Sequence, residues 1–345
     1  MAYTTIDKPT DYFNTVLYTG NGGTQTISGV GHQPDFVWIK NRTTDFGSRL
    51  LDSVRGATKE LFSNSPVGEN TNTDSLTSFN SDGFSLGSHG GVNENNSNFV
   101  SWNWLGANGT ASNTGGTINS TVSVNQTSGF SIVSWQGTNA NASVGHGLSS
   151  EPTMIFFKVR GETGDWAVYN QNLGANKYLQ LNKSDGAATD TGMFQNTEPT
   201  GGRIFVGANL ANKNFPMIAY CFTPKTGYSM FGTYSGNNNV NGNFVWLGFK
   251  ASFLIIKETS GQFWHIVDNK RDPFNDGDAA QVSANSNATE STIRTDRGTL
   301  PIDLLSNGFK IRTDGSSCNG TGNFIFMAFA ESPFVTSTGI PTTAR

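Results

Sequence analysis

The sequence predicts an all-β fold, three tandem β-sandwich repeats of jelly-roll or lectin-like form with extended arms at both ends. Three observations lead there. The first is internal repetition at a fixed spacing, the mark of a repeated architecture. An aromatic residue followed two positions later by glycine occurs as Tyr18/Gly20, Trp135/Gly137 and Tyr234/Gly236. An apolar run ending in lysine follows each glycine, and the lysines Lys40, Lys158 and Lys257 lie 20, 21 and 21 residues beyond it. The second is local pattern. Short aromatic and β-branched runs alternate with Gly/Asn/Asp/Ser clusters, as in sandwiches and barrels.

The third is composition. The 345 residues include 41 Gly, 38 Asn, 34 Ser and 39 Thr, and only 14% are charged. About 25% charged is usual for a soluble domain. The 25 Phe, 8 Tyr and 7 Trp still supply enough apolar surface for real cores, which disordered chains lack. A net charge of -4 with scattered Lys and Arg gives no footprint for nucleic acid. No apolar run approaches the roughly 18 residues of a membrane helix, so no membrane insertion is expected. The start, Met1 to Asp7, has no secretory pattern. Cys221 and Cys318 sit far apart, which excludes a disulfide framework. An exterior-type composition without an export signal fits a part of a virion, made in a cytoplasm and released by lysis.

In chain order, residues 1–12 read as an N-terminal arm, polar enough to order only by lying on a partner. Residues 13–105 form the first β repeat, in which 55–62 can take a short helical turn. Residues 106–128, almost all Gly, Ala, Ser, Thr and Asn, read as a linker pinned by one edge strand around Val122 and Val124. Residues 129–223 form the second repeat. Its last run, Ala219-Tyr220-Cys221-Phe222, alternates small and large residues as in a strand buried mainly on one face. Residues 224–333 form the third repeat, with a helical turn possible over 301–305. Residues 334–345 are the C-terminal arm.

His32, His89, His146 and His265 show no metal-ligand spacing. The recurring Lys40, Lys158 and Lys257 fit either a ligand contact or, preferably, a strand end whose ammonium snorkels into water. Asp268, Asp272, Asp276 and Asp278 could together bind calcium, but they equally suit ordinary turns. No catalytic residue, cofactor or metal site is assigned. The tryptophans lie in strand-like runs and read as core. With strand aromatics committed inside, recognition falls to loops. The candidates are Ser88–Asn98 and Arg271–Asp278, whose Asn side chains both donate and accept hydrogen bonds.

The chain resembles a family of structural proteins from tailed bacteriophages, chiefly marine ones. The resemblance rests on Tyr18-Thr19-Gly20-Asn21-Gly22, the runs 33–42, 50–56 and 78–84, Ala328 to Phe334, and the terminal Thr-Ala-Arg. It spans nearly the whole chain, and its motifs are structural in character. It implies a non-enzymatic tail fibre or appendage protein with a part in host attachment. The expected partners are other virion proteins, further copies of the chain (a trimer first) and a host-surface glycan. About a dozen residues precede the first repeat, fewer than a fibre attachment region needs, so a capsid decoration role is the alternative. A glycan-degrading enzyme is the third reading.

Overall fold

Runs such as Phe36-Val37-Trp38-Ile39 have no polar residue between apolar ones, and such a strand needs cover on both faces. A computed structural model describes residues 2–275, 280–290 and 301–342. It is an all-β sandwich-type fold of antiparallel sheets. One strand order recurs in three wide sheets. In unit one the neighbours run Phe13–Thr19, Asn98–Trp104, Phe36–Asn41, Arg49–Asp52. In unit two they run Phe130–Gln136, Pro216–Phe222, Met154–Val159, Ala167–Asn170. In unit three they run Ser229–Ser235, Asn323–Pro333, Phe249–Glu258, His265–Asp268. Lys40, Lys158 and Lys257 hold one register position, opposite Val100, Ile218 and Ile325 of the closing strands.

Each wide sheet is covered on one face by a narrow sheet of its own unit. In unit one Val37, Ile39 and Leu51 meet Ile27, Phe84 and Leu86. In unit two Ile155, Phe157 and Cys221 meet Val144 and Ile204. In unit three Leu254, Ile256 and Phe326 meet Val245 and Phe309. The opposite faces of all three wide sheets share a further core, to which each unit contributes large side chains. Among them are Trp38, Trp102 and Trp104, then Phe156, Tyr220 and Phe222, then Phe253, Ile255 and Phe329. Trp104 sits at its hub, with ring centroids 4.8 Å from Phe13, 5.2 Å from Phe36, 5.7 Å from Phe253 and Phe329, and 6.3 Å from Phe222.

This arrangement corrects several expectations. Each unit keeps a core of its own but is not independent of the others, because the second face of its wide sheet is buried in the shared core. The closing strand of unit two is likewise two-faced: Tyr220 and Phe222 enter the shared core while Ala219 and Cys221 enter the core of the unit itself. Neither proposed helical turn forms; Lys59–Phe62 and Ile302–Leu305 are strands, paired to neighbours that outweigh their local propensity. The 106–128 segment contributes two strands, Ala111–Asn113 and Ser120–Asn125, that extend the wide sheet of unit two. The Asp35 carboxylate clips its start by accepting from the backbone N–H of Gly106 at 2.8 Å and Asn108 at 3.0 Å.

The N-terminal arm does not wait for a partner. Ile6 is buried in the shared core, the Tyr3 hydroxyl donates to the Gly248 carbonyl at 2.7 Å, and Asp7 accepts from the Ser337 N–H and hydroxyl. The described residues of both arms thus make contacts within the chain. Ile6→Ala is expected to cost about 2–3 kcal/mol, the lower range for truncating a buried aliphatic chain. Urea unfolding would show it as a lower midpoint, and an unchanged midpoint would make the arm incidental.

Candidate functional site

The landmark glycines mark where two loops of one unit touch. A Cβ on Gly20, Gly137 or Gly236 would lie 2.2, 1.8 or 1.7 Å from the carbonyl oxygen of Glu94, Lys213 or Gly320. Just before each of those carbonyls is a fully buried asparagine: Asn93, Asn212 and Asn319. The Asn93 amide donates to Asn21 Oδ1 and to the carbonyls of Gly23 and Gly87. Asn319 repeats this with Asn237 Oδ1 and the carbonyls of Asn239 and Thr313. The landmark aromatic completes each staple: Tyr18 donates to Val92 O at 2.7 Å, Tyr234 to Cys318 O at 2.6 Å, and Trp135 to Asn212 Oδ1 at 3.0 Å. Asn93 thus braces the 88–98 loop from within, while Ser88, Asn95, Asn96 and Asn98 stay exposed. The buried asparagines were legible only as an Asn shortly before each closing strand.

The lysines overturn the snorkelling expectation. Lys40, Lys158 and Lys257 are all fully buried, because the loop of a neighbouring unit covers each strand end. Lys40 Nζ donates to Phe46 O at 2.7 Å and to Asn287 O of unit three at 2.7 Å. Lys158 Nζ donates to Gly164 O at 2.5 Å and to Pro66 O of unit one at 2.8 Å. Lys257 Nζ donates to Gly261 O at 2.7 Å, to Gln262 O, and to Ser184 O of unit two at 2.9 Å. Burial pulls all three ammonium groups down to about 8. They are stitches, each joining one unit to the one before it in a closed ring.

Ion pairs follow the same ring. Arg55 pairs with Asp52, and Tyr220 of unit two donates to that carboxylate at 2.7 Å. Arg271 pairs with Asp268, which accepts from Trp102 Nε1 of unit one at 3.0 Å. Burial opposes the Arg55 charge, but Asp52 beside it holds the guanidinium above its ordinary range. Glu69 joins Arg55 to Arg160 of unit two, and Glu290 joins Arg271 to Arg42 of unit one. The repeated Asp-x-x-Arg at 52–55 and 268–271 was the available signal. The unit two seam replaces the pair with Asn170 and Leu173.

The remaining candidates are dispersed. His32 and His146 bond backbone carbonyls, and His89 caps the short helix Gly90–Asn93. Cys221 and Cys318 are free and buried. Of the four acids considered for calcium, Asp268 is engaged by Arg271 and Trp102, while Asp276 and Asp278 lie outside the described residues. Among the described residues no cluster of three His, Cys, Asp or Glu could hold a metal ion.

Burial, reinforced by the charge of Lys257, pushes the His265 imidazole from 6.5 down to about 4. As pH falls through that window the unfolded chain takes up a proton that the folded chain refuses, so stability is lost on the acid side. The loss from this group should be absent above pH 6.5 and reach about 3 kcal/mol near pH 4. His265→Gln should flatten that part of a urea-unfolding pH series.

What the sequence placed in the Arg271–Asp278 loop is partly described. Residues 272–275 help wall an open cleft of about 750 Å³ in unit three, with Lys250, Asn269, Leu305 and Ser332 on its other sides. Asn275 pins the loop to the narrow sheet, donating to Leu304 O at 3.0 Å and accepting from Leu304 N at 2.8 Å. Phe274, by contrast, stands 78% exposed at the cleft.

A family described as a domain of unknown function, DUF7483, matches residues 8–333. No curated protein and no solved structure matches the chain. Its match runs from the arm that Ile6 anchors to the end of the last closing strand, and the chain belongs to the DUF7483 family.

Proposed function

We propose that the chain is a non-enzymatic structural component of a tailed-phage virion, a tail fibre or appendage protein with a part in host attachment. The observation that supports this most is the closed ring of units. Its buried lysines and Arg–Glu ties all join one unit to the next, which suits a stiff, load-bearing block. Phe244, Trp246, Phe263 and Phe274 stand exposed in unit three, which leaves one region free to specialise as a contact face. The resemblance to phage structural proteins points the same way. Antibodies raised against the recombinant chain should label the tail or its fibres on intact particles in electron micrographs. Label on the capsid shell instead would make it a decoration protein, and its absence from purified particles would end the virion reading.

A further inference from the structure

Three copies of one frame provide an internal control, since a residue the fold requires should recur in each. The first strand of the narrow sheet reads Gln25–Ser28, Ala142–Gly145 and Phe244–Trp246 in the three units. Ile27, Val144 and Val245 point inward at matching register. The outward positions beside them are Thr26 and Ser28 in unit one, both exposed, whereas Ser143 and Gly145 in unit two lie buried beneath the 113–118 segment of the chain. In unit three they are Phe244, 44% exposed, and Trp246, 55% exposed. Unit one leaves this face open and folds with small polar residues there, so the frame does not require the rings.

The same unit carries an insertion. From the last residue of the third wide-sheet strand to the matching buried residue of the next segment are 9 positions in units one (Asp52, Leu61) and two (Asn170, Leu179). In unit three (Asp268, Val282) there are 14. The added residues bring Phe274 to the cleft described above. Cleft and rings adjoin one hairpin: Leu305 and Ser306 line the cleft, and the chain returns through Gly308, which pairs with Trp246. The Trp246 strand is held firmly at its end. Gly248 takes φ +76°, and a Cβ there would lie 2.9 Å from the Trp246 ring and 2.3 Å from the Tyr3 hydroxyl.

We propose that this face of unit three binds a neutral glycan, with Trp246 and Phe244 stacking on sugar rings and Asn269 supplying an acceptor in the cleft. Asn269 is 9% exposed, lines the cleft, and its Oδ1 has no partner. A buried acceptor left open is costly unless something donates to it, and a sugar hydroxyl does. Charge selects the class of ligand. Lys250 pairs with Glu331 at 2.6 Å, Arg312 pairs with Asp303, and Lys310 donates to Gly242 O. These three cations are engaged within the chain, which favours neutral polar groups and aromatic faces as the contacts offered to a ligand. This rests on the host-attachment reading and names its partner.

Trp246 supplies its own reporter, because the other six tryptophans are at most 4% exposed. The full chain is titrated with neutral α-glucan, β-glucan, mannan, galactan and xylan oligosaccharides, with an acidic uronan as control. At least one neutral sugar should protect the fluorescence from acrylamide quenching and retard the protein in a gel containing the parent polysaccharide. Phe244→Thr/Trp246→Ser installs the residues of unit one and keeps the fold, which circular dichroism checks. Retardation should weaken at least about tenfold in that variant, and Asn269→Ser should weaken it separately. No protection by any neutral sugar, equal retention of the variant, preference for the uronan, or self-association abolished by the variant would each overturn the inference. Particles that carry the variant and attach normally would defeat the glycan site and leave the virion role standing. Sugar retention by a chain absent from particles would do the reverse.

Discussion

Trp104→Ala should lower the stability of the entire chain by about 3–5 kcal/mol, the range for removing a fully buried aromatic. The loss should appear in one cooperative transition. Trp104 belongs to unit one by sequence, yet its ring meets Phe222 of unit two and Phe253 and Phe329 of unit three. Three separate sandwiches would unfold in steps, and only the first step would shift. A shared core instead requires far-ultraviolet dichroism and tryptophan fluorescence to trace one coincident curve in urea, displaced as a whole. Non-coincident curves, or a shift confined to part of the signal, would contradict the shared core.

The second large effect lies at the seams. Asp52→Ala leaves the Arg55 guanidinium buried and short of its main partner, and breaking such a pair costs about 3–5 kcal/mol. The chain itself contains a remedy. At the corresponding seam between units two and three, Asn170, Leu173 and Met327 stand where Asp52, Arg55 and Tyr220 stand between units one and two. The triple variant Asp52→Asn/Arg55→Leu/Tyr220→Met copies that neutral seam, and Glu69 keeps Arg160 as a partner. It should recover to within about 2 kcal/mol of the wild type, because apolar groups of similar size often replace a buried ion pair with little loss. Guanidinium unfolding midpoints for the two variants decide it. A triple variant as weak as the single one would show that the pair does more than join units.

These two variants also show what a linear reading reaches. Spacing revealed the repeated frame because each copy satisfies the same local demands. A glycine must admit the carbonyl beside Asn93, Asn212 or Asn319, and a lysine must end the strand beside it. The destination of that lysine was hidden, since Asn287 lies 247 residues from Lys40 and no local pattern connects them. Two-sided burial was present in the unbroken apolar runs, but the small residues of Ala219 and Cys221 imitated a solvent face. Assigning strand aromatics to the core succeeds for Trp38, Trp102 and Trp104 and fails for Trp246. Periodicity shows that Val245 and Trp246 face opposite ways, not which of them meets water.

The closed ring also governs when the molecule can finish folding. Tyr3 binds Gly248, Lys40 binds Asn287, and Arg42 binds Glu290, contacts separated by 245, 247 and 248 residues. A ribosome therefore releases unit one long before the residues that cover its inner face exist. Phe36, Trp38, Trp102 and Trp104 must then wait with apolar surface exposed, at the stage when unpaired sheets are most prone to aggregate. Contacts of such sequence separation also slow the final closure. Nascent chains halted before unit three should bind hydrophobic dyes and engage chaperones, and that engagement should cease once Phe329 has cleared the exit tunnel.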